Sequence, residues 1–324
     1  MNSPEFTTHA EGKRPLIRSR VSARVNEVQA YGEYIRLRLR VPGWPGAPAG
    51  SFSLLQTELS RCFLPRPYSV HCEGGDGGTD GDRVGVSRED VDFLVDPVGP
   101  ASRELASVAP GDRVWVLGPL GRGFELGEIC ARPRAVALCP AAGVRGKGFR
   151  LVLVAGGVGV APFPLLLQQL ASVAAAEPGE AVGVPSEVVV LAGFRDAGQA
   201  AAVRTLDETT ESLRRSGVPS RVLVTTEDGS VGRSGLVTGA AEEEVRAGDR
   251  VAACGPHGMA EAVWRICATA GAPAWFSLEA RMACGVGSCH GCVLRMADGR
   301  LVRVCRRGPV MRGEEAFGAL DAAV

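Results

Sequence analysis

The chain has 324 residues, 45% of them hydrophobic, and a formal net charge of zero. That length is enough for two or three domains with sizeable cores. Neutrality leaves no global electrostatic case for nucleic acid or an anionic membrane as partner. The first twenty residues, MNSPEFTTHAEGKRPLIRSR, contain no apolar stretch of the kind a secretory signal needs, and residues 1–15 read as a flexible tail. From Val21 the pattern changes. Ile35, Leu37, Leu39 and Val41 alternate with Arg36, Arg38 and Arg40. This predicts a half-buried antiparallel strand with its arginines in water. Short strands are expected at Phe52–Leu55, Tyr68–Cys72, Val91–Val95 and Val114–Leu117, separated by Gly and Pro. Such punctuation suggests a small antiparallel barrel. Residues 73–89 are Gly/Asp-rich and read as a mobile hairpin-tip insertion, and residues 125–148 as an interdomain segment with an insertion.

A second unit begins at Leu151-Val152-Leu153-Val154-Ala155, a buried parallel-type strand. Gly156-Gly157-Val158-Gly159-Val160-Ala161-Pro162 follows, then an apolar helix over Phe163–Leu170. Strand, glycine turn and helix make a nucleotide-binding geometry, with the helix N-terminus facing a pyrophosphate. Pro162 suits the first helical position. The apolar run over 151–167 holds three glycines and two prolines, so it reads as strand and helix start and not as a membrane span. Strands near Val188–Leu191, Val222–Thr225 and Val251–Cys254 alternate with helical stretches near 200–214 and from Ala240, the pattern of a doubly wound sheet. Glu227-Asp228-Gly229 follows the middle of these strands, and Asp-Gly is also a strong turn signal. Cys254-Gly255-Pro256-His257 closes the last, with His257 expected at a helix N-terminus.

Four cysteines follow: Cys284, Cys289 and Cys292 at spacings x4 and x2, then Cys305 after twelve more residues. Plant-type ferredoxins use C-x4-C-x2-C…C to hold a [2Fe–2S] cluster through four thiolates. Gly285, Gly287 and Gly291 let the backbone wrap tightly and aim N–H groups at sulfur. A four-thiolate zinc site or free thiols are the alternatives; zinc sites usually start from C-x2-C pairs. Val293–Met296 and Leu301–Val304 around Asp298-Gly299 read as a hairpin that returns Cys305 to the other three. The other six cysteines (Cys62, Cys72, Cys130, Cys139, Cys254, Cys267) are scattered, which with a thiolate motif argues for a reducing compartment, the cytoplasm. Seven arginines (Arg281, Arg295, Arg300, Arg303, Arg306, Arg307, Arg312) make the cluster segment locally basic. They read either as a docking rim or as a solvated face.

Several of these motifs resemble the ferredoxin–NADP reductase superfamily. Arg66-Pro67-Tyr68-Ser69 resembles its flavin tetrad. The resemblance implies that the Arg contacts the flavin pyrophosphate, the aromatic packs on the isoalloxazine and the Ser reaches the flavin edge. Those residue types suit those tasks; the bland reading is an exposed Arg and a core Tyr. Gly99-Pro100-Ala101-Ser102, with Ser where Thr is usual, resembles a further flavin or phosphate contact, through Gly99 and Ser102. Gly156, Gly157, Gly159 and Pro162 match the superfamily's pyridine-nucleotide turn. Cys254 matches the cysteine beside the nicotinamide, though a small core residue would look the same. Glu227 and Asp228 stand where the superfamily reads the adenosine ribose, which implies NADH over NADPH.

The C-terminal run Ser277-Leu278-Glu279…Cys305 closely resembles electron-transfer subunits of B-type dihydroorotate dehydrogenase. The implied fold is a flavin-binding antiparallel β-barrel (16–126), a linker (127–149), a doubly wound α/β NAD-binding domain (150–272) and an iron–sulfur segment (273–324). The implied cofactors are FAD and [2Fe–2S], with NADH as substrate. NADH gives two electrons and a [2Fe–2S] cluster takes one, so a flavin belongs between them. The implied partner is an FMN-bearing catalytic dihydroorotate dehydrogenase chain, in a hetero-oligomer of two plus two. The competing readings are a flavin subunit of a ferredoxin or sulfide oxidoreductase, and a zinc module on an inactive reductase scaffold.

Overall fold

Six strands curl into one closed barrel because alternate apolar side chains along each must meet across a shared core. The computed structural model describes residues 19–74, 88–131, 148–176 and 182–318. The expected tail, the bulk of the 73–89 insertion, residues 132–147 of the interdomain segment and Cys139 lie outside the described residues. The strands are β1 (Val21–Tyr31), β2 (Tyr34–Arg40), β3 (Phe52–Thr57), β4 (Arg66–Glu73), β5 (Asp90–Val95) and β6 (Arg113–Leu120). They close in the order β1-β2-β5-β4-β3-β6, each pair antiparallel. Val25, Leu37, Leu39, Val70, Phe93, Val114 and Val116 are buried in its core. Helix α1 (Pro100–Ala106) joins β5 to β6, and the short α2 (Leu126–Ile129) follows β6.

The arginines of β2 are not all in water, as their alternation predicts. Arg36 is 3% exposed and donates to the Tyr31 hydroxyl at 2.7 Å. Arg38 grips Asp92 through two hydrogen bonds of 2.8 and 3.0 Å, and Arg40 grips Asp90 at 3.0 and 3.1 Å. The strand register sets these partners directly opposite each other across β2 and β5. A cross-strand carboxylate turns an exposed guanidinium position into a covered one.

The second unit is a seven-stranded sheet in the order β10-β9-β8-β7-β11-β12-β15. Its members are β7 (Arg150–Gly156), β8 (Glu187–Phe194), β9 (Ser220–Thr226), β10 (Arg233–Ser234), β11 (Arg250–Cys254), β12 (Ala274–Ser277) and β15 (Val310–Arg312). All pair in parallel except the edge strand β15. Helices α3 (Phe163–Ala175), α4 (Ala197–Ala200), α5 (Val203–Arg215), α6 (Val237–Glu244) and α7 (His257–Ala270) connect the parallel strands. Strand β7 is buried on both faces, which is why it reads as an unbroken apolar run. Leu151, Leu153 and Ala155 share a core with the barrel, α3 and α5, and Val152 and Val154 share one with α6 and α7. The apolar run at 151–167 is accounted for by β7, a 3-10 turn over Gly157–Val160 and the start of α3, whose Phe163, Leu165, Leu166 and Leu167 are buried against protein.

The cluster segment grows from the edge of this sheet. Strand β12, which opens the expected 273–324 segment, is hydrogen-bonded to β11, and β15 adds antiparallel to β12. Between them lie the hairpin β13 (Val293–Arg295) and β14 (Leu301–Arg303) and the turn α8 (Val304–Arg307). Helix α9 (Gly313–Phe317) ends the described chain. Cys292, Met296, Val304 and Cys305 belong to the same core as α6 and α7, so the segment is packed on the nucleotide unit.

Candidate active site

Strands β7 and β11 are neighbours, yet their connections leave in opposite directions along the sheet: β8 lies beyond one and β12 beyond the other. Ligands of doubly wound sheets sit at such a switch point, at the carboxyl ends of the strands. Here a cleft of about 650 Å³ opens at that place. Its walls come from three segments. The barrel supplies Phe52, Arg66–Ser69, Asp96 and Gly99–Ser102. The nucleotide unit supplies Val158, Gly159, Ala161 and Cys254, and the run into the cluster supplies Ser277–Met282 and Pro309.

The flavin tetrad of the sequence reading is therefore on this wall. Arg66 is exposed at the start of β4, and Pro67, Tyr68 and Ser69 are half-buried. Burial pushes the Tyr68 phenol above its ordinary range, so it is a neutral ring with a polar tip. Gly99 and Ser102 are also here, tied to each other. The Ser102 hydroxyl accepts from the Gly99 N–H at 2.9 Å and donates to the Gly99 carbonyl at 3.1 Å, closing the first turn of α1. An exposed guanidinium, whose contact is the Leu64 carbonyl at 3.4 Å, an aromatic face and small residues beside an open cleft form a donor set that fits a dinucleotide flavin.

Gly159 meets the end of β11 at van der Waals contact. A Cβ there would lie 2.2 Å from the Cys254 carbonyl oxygen. Gly156 meets α7: its Cβ would lie 2.5 Å from the Met259 sulfur. Gly156, Gly157 and Pro162 shape the turn without lining the cleft. Pro162 takes the N-cap of α3, one place earlier than expected, and Pro164 stands inside the first turn. Cys254 is 7% exposed, and burial pushes its thiol up to about 12, with Ser277 opposing and Glu279 adding to the shift. At neutral pH it is an uncharged thiol. Glu279 is reached by water through the cleft, yet surrounding protein pushes its carboxyl above the ordinary range.

Glu227 and Asp228 stand apart, exposed at the carboxyl end of β9, two strands or roughly 10 Å along the sheet from β7. The turn signal is realised: the Gly229 N–H donates to the Thr226 carbonyl at 3.1 Å. The Asp228 carboxylate accepts from the Ser230 N–H and hydroxyl at 2.9 and 2.6 Å, which holds it below the usual carboxylate range. Glu227 is the less engaged of the two. His257 opens α7 as expected, 3.3 Å from Glu261.

The four thiols gather two and two. The Cys289 N–H points at the Cys284 sulfur, the Gly291 N–H at the Cys289 sulfur and the Cys305 N–H at the Cys292 sulfur, each at 3.4 Å. Burial opposes ionisation of Cys284, but N–H groups of Cys289, Val286 and Ser288 and the Cys289 thiol draw it down to about 6. Burial and the neighbouring Cys292 and Cys284 push Cys305 up to about 12. Among the described residues no three His, Cys, Asp or Glu side chains converge as a single ion requires. Paired thiols under backbone N–H groups fit a two-iron cluster. Cys292 and Cys305 are buried, whereas Cys289 is exposed. The loop is seated on the barrel: a Cβ at Gly285, whose φ is +65°, would lie 2.8 Å from Leu120 and 2.9 Å from Leu54. Leu54 neighbours Phe52 on β3, so the cluster loop and the cleft share one barrel wall.

Of the seven arginines, Arg300 pairs with Asp298, Arg307 with Glu315 at 3.4 Å and Arg312 with Glu128 at 3.3 Å. Arg303 donates to the Gly287 carbonyl at 2.8 Å, bracing the cluster loop. The rim is thus less free than its composition suggests. Sequence reasoning missed Asp96 and Ser277–Met282 as cleft wall; the signal for the latter was the Ser277-Leu278-Glu279 run, which begins on the last residue of β12 and leads to the first cysteine.

Residues 279–316 match the model of the iron–sulfur cluster binding domain of dihydroorotate dehydrogenase B, and residues 153–265 that of the oxidoreductase NAD-binding domain. Similar solved structures include an NADH-dependent reduced ferredoxin–NADP oxidoreductase, with TM-score 0.66 and 23% identity over 94% of this chain and 91% of that one. The ferredoxin–NADP+ reductase of Neisseria gonorrhoeae, solved with FAD and NADP, gives TM-score 0.55 and 16% identity over 78% and 92%. At these identities the likeness shows the fold. Fold and site together define an oxidoreductase of ferredoxin–NADP reductase architecture carrying a C-terminal iron–sulfur segment. The dihydroorotate dehydrogenase B electron transfer subunit of Caldanaerobacter subterraneus is 31% identical over 271 residues, covering 83% of this chain and 86% of that one. That of Geobacillus thermodenitrificans is 35% identical over 219 residues, covering 67% and 70%. The chain belongs to this family of dihydroorotate dehydrogenase B electron transfer subunits.

Proposed function

We propose that this chain takes electrons from NADH and passes them, by way of FAD and a [2Fe–2S] cluster, to a separate FMN-bearing dihydroorotate dehydrogenase chain that interconverts dihydroorotate and orotate. The observation that carries the reading is the single cleft bordered by Arg66–Ser69, by Cys254 and by the run into Cys284. Bound FAD supplies the exchange between a two-electron donor and a one-electron acceptor. The residues of the chain do the rest. Arg66 holds the flavin pyrophosphate, Tyr68 packs on the ring system, Pro67 stiffens the strand start, and Ser69 reaches the flavin edge. Gly99 and Ser102 present a small surface beside them. Gly156, Gly157, Gly159 and Pro162 shape the turn that receives the NADH pyrophosphate at the start of α3. Cys254 flanks the nicotinamide as a neutral thiol and so adds no charge where hydride leaves. Cys284, Cys289, Cys292 and Cys305 ligate the cluster, and exposed Cys289 marks its outward edge. Purified anaerobically, the protein should hold one FAD and about two irons and two acid-labile sulfides per chain. One zinc without sulfide would refute the reading.

The exposed carboxylate of Glu227 reads the adenosine ribose, with Asp228 shaping its turn. It accepts from a 2′-hydroxyl and repels a 2′-phosphate. With an artificial acceptor, kcat/KM for NADH should exceed that for NADPH by about tenfold or more. Glu227→Gln should narrow the gap. Equal values in the wild type would mean that no carboxylate faces the ribose.

The assembly is two of each chain, in the cytoplasm, and the partner docks over the exposed Cys289 edge. Arg306 is exposed there and carries no ion pair among the described residues, with Arg307 beside it. Arg306→Glu with Arg307→Glu should keep NADH-to-dye activity and weaken assembly with the catalytic chain by about tenfold, and wild-type assembly should weaken with salt. Normal assembly and orotate reduction by the double variant would place the interface elsewhere.

A further inference from the structure

The barrel and the nucleotide unit meet along a polar seam, and a buried imidazole lies on it. His71 stands on β4, two residues beyond Ser69, and is 0% exposed. Strand β4 carries one extra residue at this point. Val70 faces Phe93 and Cys72 faces Asp92, which leaves His71 without a counterpart on β5. A bulge of this kind re-aims a side chain. The ring reaches the glycine turn, with Nδ1 2.8 Å from the Ala161 carbonyl oxygen. A carbonyl accepts, so the proton must be on Nδ1. Nε2 is buried and has no hydrogen-bond partner among the described residues.

That arrangement suits a neutral ring. A lone pair left unpaired on Nε2 is the smaller penalty; a charged ring would bury a second donor with nothing to receive it. Burial outweighs the Ala161 bond and the opposed charges of Asp92 and Arg36, and pushes His71 down to about 4. An apolar side chain could fill the space with no unpaired nitrogen, but it would not hold Ala161. Further along the seam, the Glu73 N–H donates to the Gln168 side chain at 3.2 Å, and the Gln169 side-chain amide donates to the Ala47 carbonyl at 2.7 Å. Strand β4 and helix α3 are thus tied side by side.

We infer that His71 is a positioning residue that latches the Arg66–Ser69 strand to the Gly156–Pro162 turn, fixing how far the flavin-holding backbone stands from the dinucleotide-holding one. The latch acts on the cleft directly, because Val158, Gly159 and Ala161 all line it. The inference rests on the proposed assignment of β4 to FAD and of the turn to NADH.

The test compares the full-length FAD- and iron-loaded protein with His71→Leu, which removes the donor, and His71→Asn, which keeps one near the Nδ1 position. His71→Leu should keep its FAD, yet bind NAD+ about tenfold more weakly and show flavin reduction by NADH slowed about tenfold or more. His71→Asn should recover to within about threefold of wild type, which a loss of packing alone would not permit. Wild-type NAD+ affinity and reduction rate in His71→Leu, or no recovery in His71→Asn, would overturn the latch. Nitrogen-15 spectra of histidine-labelled wild type keep the inference open to refutation even if His71→Leu fails to fold. They should show protonated Nδ1, bare Nε2 and no titration from about pH 8 to about pH 5. A proton on Nε2, or titration near the ordinary value of about 6.5, would overturn it. Wild type without FAD would instead sink the assignment beneath it.

Discussion

Cys284→Ser is expected to leave about one FAD per chain and strip nearly all iron and sulfide. A serine hydroxyl stays protonated where the Cys284 thiol, held by three N–H groups, is drawn down to about 6 and ionises at neutral pH. Thiolate is the form that binds metal. The proposed flavin tetrad, Arg66–Ser69, lies on β4, a different element, so flavin occupancy should not depend on this sulfur. Loss of an outer-shell partner already costs about 10–100-fold in metal affinity. Loss of a ligand should lower NADH-dependent orotate reduction with the catalytic chain by at least about 100-fold. Cys267→Ser is the matched control: Cys267 is fully buried on the inner face of α7, and its replacement should leave iron unchanged. Iron and sulfide analysis with flavin absorbance decides the matter. Two irons retained in Cys284→Ser would remove Cys284 from the ligand set.

The barrel was legible because two-residue alternation survives in the sequence, and the nucleotide sheet because β7 is buried on both faces. The setting of Arg36 and Arg38 was not legible. Whether an alternating arginine meets water depends on what stands on the neighbouring strand, and Asp92 is more than fifty residues away. The cluster spacing put four cysteines forward as proposed ligands, since a cluster's own geometry restricts where thiolates can stand. The seating of that segment was hidden for the opposite reason. Strands β12 and β15 are four and three residues long, and only pairing at the sheet edge makes them strands. The arginine count predicted a basic rim, but Glu315 and Glu128 answer Arg307 and Arg312 from elements that the local sequence does not reveal. The bulge that aims His71 left no mark in the sequence pattern at all.

Gly159→Ala is expected to uncouple NADH from the flavin while leaving FAD and iron in place. The φ of Gly159 is not in the left-handed region, so backbone strain is not the reason. Space is. An added Cβ would lie 2.2 Å from the Cys254 carbonyl oxygen, 2.6 Å from its carbon and 2.8 Å from the Gly255 Cα. All three are backbone atoms where the glycine turn crosses the end of β11, and no side chain there can swing aside. Overpacking in such a place costs about 1–3 kcal/mol when the structure yields, and here yielding means moving the turn or Cys254. A shift of about 1 Å between reacting groups costs about 100-fold in rate. Stopped-flow reduction of the flavin by NADH should slow by about that factor, with a weaker affinity for NAD+. Gly258→Ala supplies the contrast. Gly258 lies in the first turn of α7 with nothing within 4 Å of its added Cβ, so the change should leave NADH oxidation intact and stabilise the helix slightly, by up to about 1 kcal/mol. Wild-type reduction kinetics in Gly159→Ala, at wild-type Tm, would mean that the turn can retreat without disturbing the nicotinamide, and the cleft would have to be entered from another side.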